Sequence, residues 1–141
     1  MTKKKYTTPK AKQNSKKNLV DFNEDGNSII AKIKINGKEG QFKIDPENPN
    51  TIVYKKFADK NKTITSNTFG VIEFKDGKNA IKDAMPVCYI NIGFSNKTIN
   101  NGRAFIIKNE KDKTDGVIGS NILDNLNYEI DYQNKKIILN N

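Results

Sequence analysis

The stretch Gln41 to Val53, QFKIDPENPNTIV, decides how the 141-residue chain is read. Phe42 and Ile44 alternate with Gln41 and Lys43, the period-two pattern of a strand with one apolar face. Asp45 stands where that strand ends, and Pro46 and Pro49 turn the chain before Ile52 and Val53 begin a second apolar run. An aspartate ahead of proline serves either as an Asx-type turn residue or as a chemical group that the fold presents. Toward the N-terminus, Ile29, Ala31, Ile33 and Ile35 share one face and Lys32 and Lys34 the other. With the turn at Asn36-Gly37, this alternation predicts a hairpin that leads into the Asp45 loop. Far downstream, Gly116 to Leu123 reads GVIGSNIL. Val117, Ile118 and Gly119 are expected to form a short buried strand bracing the Asp45 loop, and Ser120 to cap a short helix through Leu126.

Together the two stretches resemble the retropepsin-like aspartic peptidases. In that family a strand delivers Asp-Thr/Ser-Gly, and a later Ile-Ile/Leu-Gly strand braces the catalytic loop. The resemblance covers roughly Ser28 to Leu139, and Asn50, Thr51, Ile52 and Val53 match the family's continuation in register. It implies an all-β fold: a small closed acid-protease-like barrel of short antiparallel strands with one short helix near the C-terminus. It also implies a homodimer in which Asp45 of each subunit shares a proton with its mate, so that one carboxyl acts as acid and the other as base. The motif itself departs from the family, because Pro46 and Glu47 stand where Thr or Ser and then Gly belong. Pro46 offers neither hydroxyl nor N–H, and Glu47 adds bulk and a further negative charge near any carboxylate pair. The expected function is therefore a pseudo-peptidase acting as a binding or assembly module. The alternative is an active homodimeric aspartic endopeptidase using Asp45.

Thr68 to Ile81 predicts a second hairpin. By resemblance Phe69, Gly70, Asp76 and Gly77 are the candidate flap over a substrate, the alternative being a plain structural hairpin. Met85 to Phe94 and Gly102 to Ile107 predict a strand pair around a polar turn, echoing the first half as the family's internal duplication would. Tyr54 to Asn61 reads as a turn of helix or an irregular crossing. Tyr128 to Leu139 reads as a closing hairpin whose terminal strand is a candidate dimer edge.

Composition divides the chain unevenly. Met1 to Lys17 holds seven lysines (Lys3, Lys4, Lys5, Lys10, Lys12, Lys16 and Lys17) and no acid, so removing it from the net charge of +9 leaves a body of +2. Residues 1–27 are expected to form a basic, disordered tail and linker, and residues 28–141 the barrel domain. The lysines fit either a solubilising tail or an arm that binds a polyanion, nucleic acid or an acidic protein surface. The sequence DFNEDG at Asp21 to Gly26 opens like a calcium-binding loop, but Lys32 falls where the closing glutamate belongs, so a polar turn is expected. The chain has no histidine and one cysteine, Cys88, in an apolar strand context that predicts an inert buried thiol. No metal and no cofactor are expected. The absence of a long apolar run and of a secretory h-region predicts no membrane partner and a cytoplasmic setting, which leaves little weight for the sequons at Asn61 and Asn96.

Overall fold

Runs of alternating apolar residues become strands, and the Gly- and Asn-bearing gaps become turns, in the computed structural model, which describes residues 19–76 and 79–140. Strands β1 (Leu19–Asp25), β2 (Ser28–Ile35) and β3 (Lys38–Ile44) form an antiparallel meander. Gly26 at φ 63°, and Asn36 and Gly37 at 50° and 83°, supply the positive-φ backbone that its tight turns require. After the Asp45 loop come β4 (Ile52–Tyr54) and helix α1 (Lys55–Lys60). Then follow the long hairpin β5 (Thr68–Asp76) and β6 (Asn79–Phe94), β7 (Lys97–Ile107), β8 (Gly116–Ile118), helix α2 (Ser120–Leu123), β9 (Asn127–Asp131) and β10 (Lys136–Asn140).

All ten strands join one sheet in the order β5-β6-β7-β4-β8-β3-β2-β1-β10-β9. A further pairing of Lys34 with Gly93 and Ile35 with Ile92 ties β2 to β6, curling the sheet into a partial ring. The fold is all-β, but not all its pairings are antiparallel. The two halves exchange strands: β8 lies parallel to β3, β4 lies parallel to β7, and β4 and β8 cross antiparallel between them. The duplication seen in the sequence thus becomes a reciprocal interlock at the centre of the sheet, where short triplets buried on both faces suit parallel neighbours.

Several expectations need correction. The stretch assigned to a linker before Ser28 contains β1, because Val20 and Phe22 alternate into the core and pair β1 with both β2 and β10. Among the described residues, the expected short helix near the C-terminus is α2, and the turn of helix read at Tyr54 to Asn61 is realised as α1, where Phe57 and Ala58 bury one side. Helix α2 stops at Leu123, Gly119 occupies its N-cap position, and no side chain caps it, so Ser120 lacks the expected role. The C-terminal strand β10 is covered on both sides by β1 and β9, which leaves β9 as the edge at that end.

The main core joins the two halves of the chain through Ile33, Ile35, Phe42, Ile92, Phe94 and Ile118, and Phe42 meets Phe57 edge-on at 5.4 Å. A smaller cluster of Ile72, Val87 and Phe105 lies under the β5–β6 hairpin. No helix among the described residues is long and apolar enough to cross a membrane.

Candidate active site

Asp45 leaves β3 at the point where β8 runs alongside it. The Lys43–Val117 and Ile44–Ile118 pairs set the register, and the backbone N–H of Asp45 donates to the carbonyl of Ile118 at 3.0 Å. Val117, Ile118 and Gly119 are all buried, so the floor under the half-buried Asp45 is dry and fixed. Gly119 is required here by close approach: a Cβ on it would collide with the carbonyl oxygens of Asn48 and Asn50. The turn closes on itself, with Asn48 N–H donating to the Asp45 carbonyl and Ser120 N–H to the Asn48 carbonyl.

The Asp45 carboxylate is not stripped of backbone donors, as the residues beside it first suggest. Glu47 N–H donates to Asp45 Oδ1 at 3.1 Å, so position 47 supplies a donor whatever its side chain. The deficit falls on Pro46, which has no N–H and no hydroxyl. Glu47 itself is exposed and extends the local negative charge toward solvent.

A second network, which the sequence did not announce, ties this loop to α2. Thr51 is completely buried; its hydroxyl donates to Asn121 Oδ1 at 2.7 Å and accepts from Gly119 N–H at 3.0 Å. Asn121 Nδ2 in turn donates to the Arg103 carbonyl at 2.8 Å, and the Thr51 carbonyl accepts from Phe105 N–H. One hydroxyl therefore joins the Asp45 loop, the β8–α2 junction and β7. Its signals were a threonine next to the apolar pair Ile52-Val53, a pattern common to many strands, and that residue's match to the family's continuation, neither of which points to Asn121.

A third cluster holds the loop that precedes β8. Asp112 accepts from Lys43 Nζ at 2.8 Å and Tyr54 OH at 3.1 Å, and from the N–H and hydroxyl of Thr114. Burial alone would raise the Asp112 carboxyl; the bonds from Lys43 and Thr114 override it and hold the group well below the usual carboxylate range. Burial, and then the charge of Asp112, push the Tyr54 hydroxyl up to about 12. Asp115 adds a bond from Gln41 N–H to its Oδ2 at 2.9 Å. The site's floor is thereby fastened to the strand that delivers Asp45.

The candidate flap residues fall on the β5–β6 hairpin. Phe69 is 69% exposed and Asp76 pairs with Asn79 at the hairpin's end, whereas Gly77 lies outside the described residues. Gly70 serves packing: a Cβ there would strike Arg103 Nη2 and come within 2.8 Å of Val87. The tail lysines Lys3, Lys4, Lys5, Lys10, Lys12, Lys16 and Lys17 also lie outside the described residues. Cys88 is buried, and burial pushes its thiol up to about 11.

No protein-family model and no curated protein matches the chain. Solved structures do. A retropepsin-like aspartic protease from Rickettsia conorii is similar over 86% of this chain and 87% of its own, with a TM-score of 0.58 and 16% identity. The retroviral protease-like domain of Ddi1 from Leishmania major is similar over 81% of this chain and 94% of its own, with a TM-score of 0.52 and 15% identity. With the strand interlock and the braced Asp45 turn, these likenesses establish that the chain has the fold of the retropepsin-like aspartic proteases.

Proposed function

We propose that this chain is a catalytically silenced form of the retropepsin fold that pairs with a second copy around Asp45 and works as a binding or assembly module. The observation that carries this reading is Pro46, which directly follows Asp45 and can donate nothing to a carboxylate pair or to a group bound on it. Loss of one preorganised donor costs about 10²–10³ in rate, and an added carboxylate at position 47 of each subunit opposes ionisation of the pair. A twofold contact centred on the Asp45 loop would bring the two Asp45 side chains together, because residues on the axis of an isologous contact meet their own mates. The Lys-rich segment Met1 to Lys17 extends this reading to a polyanionic partner, nucleic acid or an acidic protein surface.

The test is cleavage of a peptide library by the purified full chain between pH 4 and 7, at concentrations that drive pairing. No cleavage is expected. Cleavage that a statine-type transition-state mimic blocks and Asp45→Asn abolishes would overturn the reading. For the tail, removal of residues 1–17 should eliminate salt-dependent RNA or DNA binding; unchanged affinity at the same ionic strength would overturn that part.

One observation favours a second reading, an active homodimeric aspartic endopeptidase. The Glu47 N–H still holds Asp45 Oδ1, so the carboxylate is posed by its own loop. The cleavage assay separates the two.

A further inference from the structure

Behind the Asp45 loop, on the side of Asn50 and Thr51, the surface opens into a recess of about 430 Å³ between β7 and α2. Phe105 and Ile122 are among its apolar lining residues and Asn50, Asn100 and Asn125 among its polar ones, with Asn125 Nδ2 already donating to the Asn121 carbonyl at 3.0 Å. Arg103 also lines it. This is the only arginine in a chain with 25 basic residues. Its guanidinium sits 4.9 Å from the centroid of the Phe105 ring, and Gly70 leaves the space it occupies. Among the described residues it forms no ion pair, whereas Lys43, Lys55, Lys82 and Lys136 all do. Arg103 is exposed, and its guanidinium is oriented by stacking and by the missing Cβ of Gly70 while no acid among the described residues pairs with it.

We propose that this recess is a carboxylate-binding site for a polypeptide ligand, anchored by Arg103. The guanidinium presents a planar fork of N–H donors that matches a carboxylate in two parallel hydrogen bonds, a geometry no lysine can reproduce. The charge balance favours a carboxylate over a phosphate. Arg103 supplies one positive charge, no lysine or acid lines the recess, and the other polar side chains are the Thr51 hydroxyl and neutral amides. A monoanion is neutralised there, and a phosphate dianion is not. Amide side chains both donate and accept, the pattern that main-chain peptide groups need, while Phe105 and Ile122 accommodate the aliphatic part of an acidic residue. The carboxylate belongs to an acidic side chain or to a chain's C-terminus. The proposal stands whether or not Asp45 cleaves, because no atom of the recess takes part in that chemistry.

The sole arginine gives a sole guanidinium Nε–H signal, so the test is direct. The full chain, labelled with ¹⁵N, is titrated with four probes: Ac-Ala-Glu-Ala-NH₂, Ac-Ala-Gln-Ala-NH₂, Ac-Ala-Ala-Ala with a free C-terminal carboxylate, and inorganic phosphate. A saturable shift of the Arg103 Nε–H with the Glu peptide, the free-carboxylate peptide or both is expected, and the responding probe identifies the source of the carboxylate. The Gln peptide should leave the signal in place. Arg103→Lys, followed through the backbone amides of Asn100 and Asn125, should bind about tenfold more weakly or worse, as expected when a charge-assisted bond is lost. Asn100→Asp, at an exposed position that leaves Arg103 in place, should weaken binding similarly by adding a negative charge to the lining. The proposal is overturned if neither carboxylate probe gives a saturable shift, if the Gln peptide shifts the signal as much as the Glu peptide, or if phosphate binds more tightly than both peptides. Unchanged affinity in Asn100→Asp would overturn it as well, and that variant decides the matter if Arg103→Lys fails to fold.

Discussion

Replacing Thr51 by valine removes one oxygen from a site with no access to solvent, and its effect can be worked out bond by bond. Valine fills nearly the same volume, so no large cavity opens. The buried Gly119 N–H loses its acceptor at 3.0 Å, and Asn121 Oδ1 loses its donor at 2.7 Å. An unsatisfied buried donor costs about 1–3 kcal/mol and an ordinary lost hydrogen bond about 0.5–1.5. Because Asn121 is exposed and water can replace the hydroxyl there, the second term sits at its low end and the sum is about 1.5–3.5 kcal/mol. Small domains are stable by only about 5–15 kcal/mol, so this is a large share. For a domain of this size it corresponds to a fall in Tm of roughly 5–18 °C. Urea unfolding followed by circular dichroism should show a lower midpoint with an unchanged slope. Thr51→Ser is the control: it keeps both bonds, loses a single methyl and should cost about 1 kcal/mol. If Thr51→Val falls within about 0.5 kcal/mol of wild type, or proves no worse than serine, the hydroxyl does not hold the loop to α2 and the account of the brace is wrong.

Gly119→Ala should be worse still, about 3 kcal/mol or more, because its Cβ meets two backbone carbonyls that cannot rotate away; a folded variant with wild-type Tm would contradict the packing described. Asp112 sets a pH dependence of definite sign. Its carboxyl is depressed in the folded chain, so its contribution is complete above the unfolded value of about 4 and is lost as pH falls below it. Asp112→Asn should therefore be less stable than wild type at pH 7 and show a flatter decline below about pH 4 in urea titrations; parallel curves would rule out that role. Cys88 should resist iodoacetamide at pH 8 in the folded chain and react only after denaturation, and rapid labelling of the native protein would contradict its burial.

The strands that carry strict alternation were legible in the sequence. Ile29 to Ile35, Phe42 with Ile44, and Tyr128 with Ile130 place their apolar residues on one face wherever the strand lies in the sheet. The interlock was not legible. Triplets such as IVY in β4 and GVI in β8 are apolar throughout and say nothing about which strand lies beside them or in which direction. β1 was hidden for a different reason: Val20 and Phe22 sit among Asp21, Asn23, Glu24 and Asp25, next to a tail of lysines, so local composition outweighed two buried side chains. At the site, Asp45 and Ile118 could be paired on the page because each stands beside a glycine or proline turn with apolar neighbours. Thr51 and Asp112 could not. Thr51 is defined by partners about seventy positions away, and Asp112 lies in KNEKDKTD, whose charges read as a solvated loop until folding brings Lys43 and Tyr54 to it.

The most direct measurement of the central claim is the rate of peptide cleavage by Pro46→Thr/Glu47→Gly beside wild type, between pH 4 and 7. The double substitution rebuilds Asp-Thr-Gly in place and restores the donors that proline removes. Since Glu47 already lends its N–H to Asp45, most of the recovery should come from Pro46→Thr. The account predicts no cleavage by wild type and cleavage by the double variant that disappears when Asp45→Asn is added. Cleavage by wild type at a rate comparable to the rebuilt enzyme, and dependent on Asp45, would contradict it.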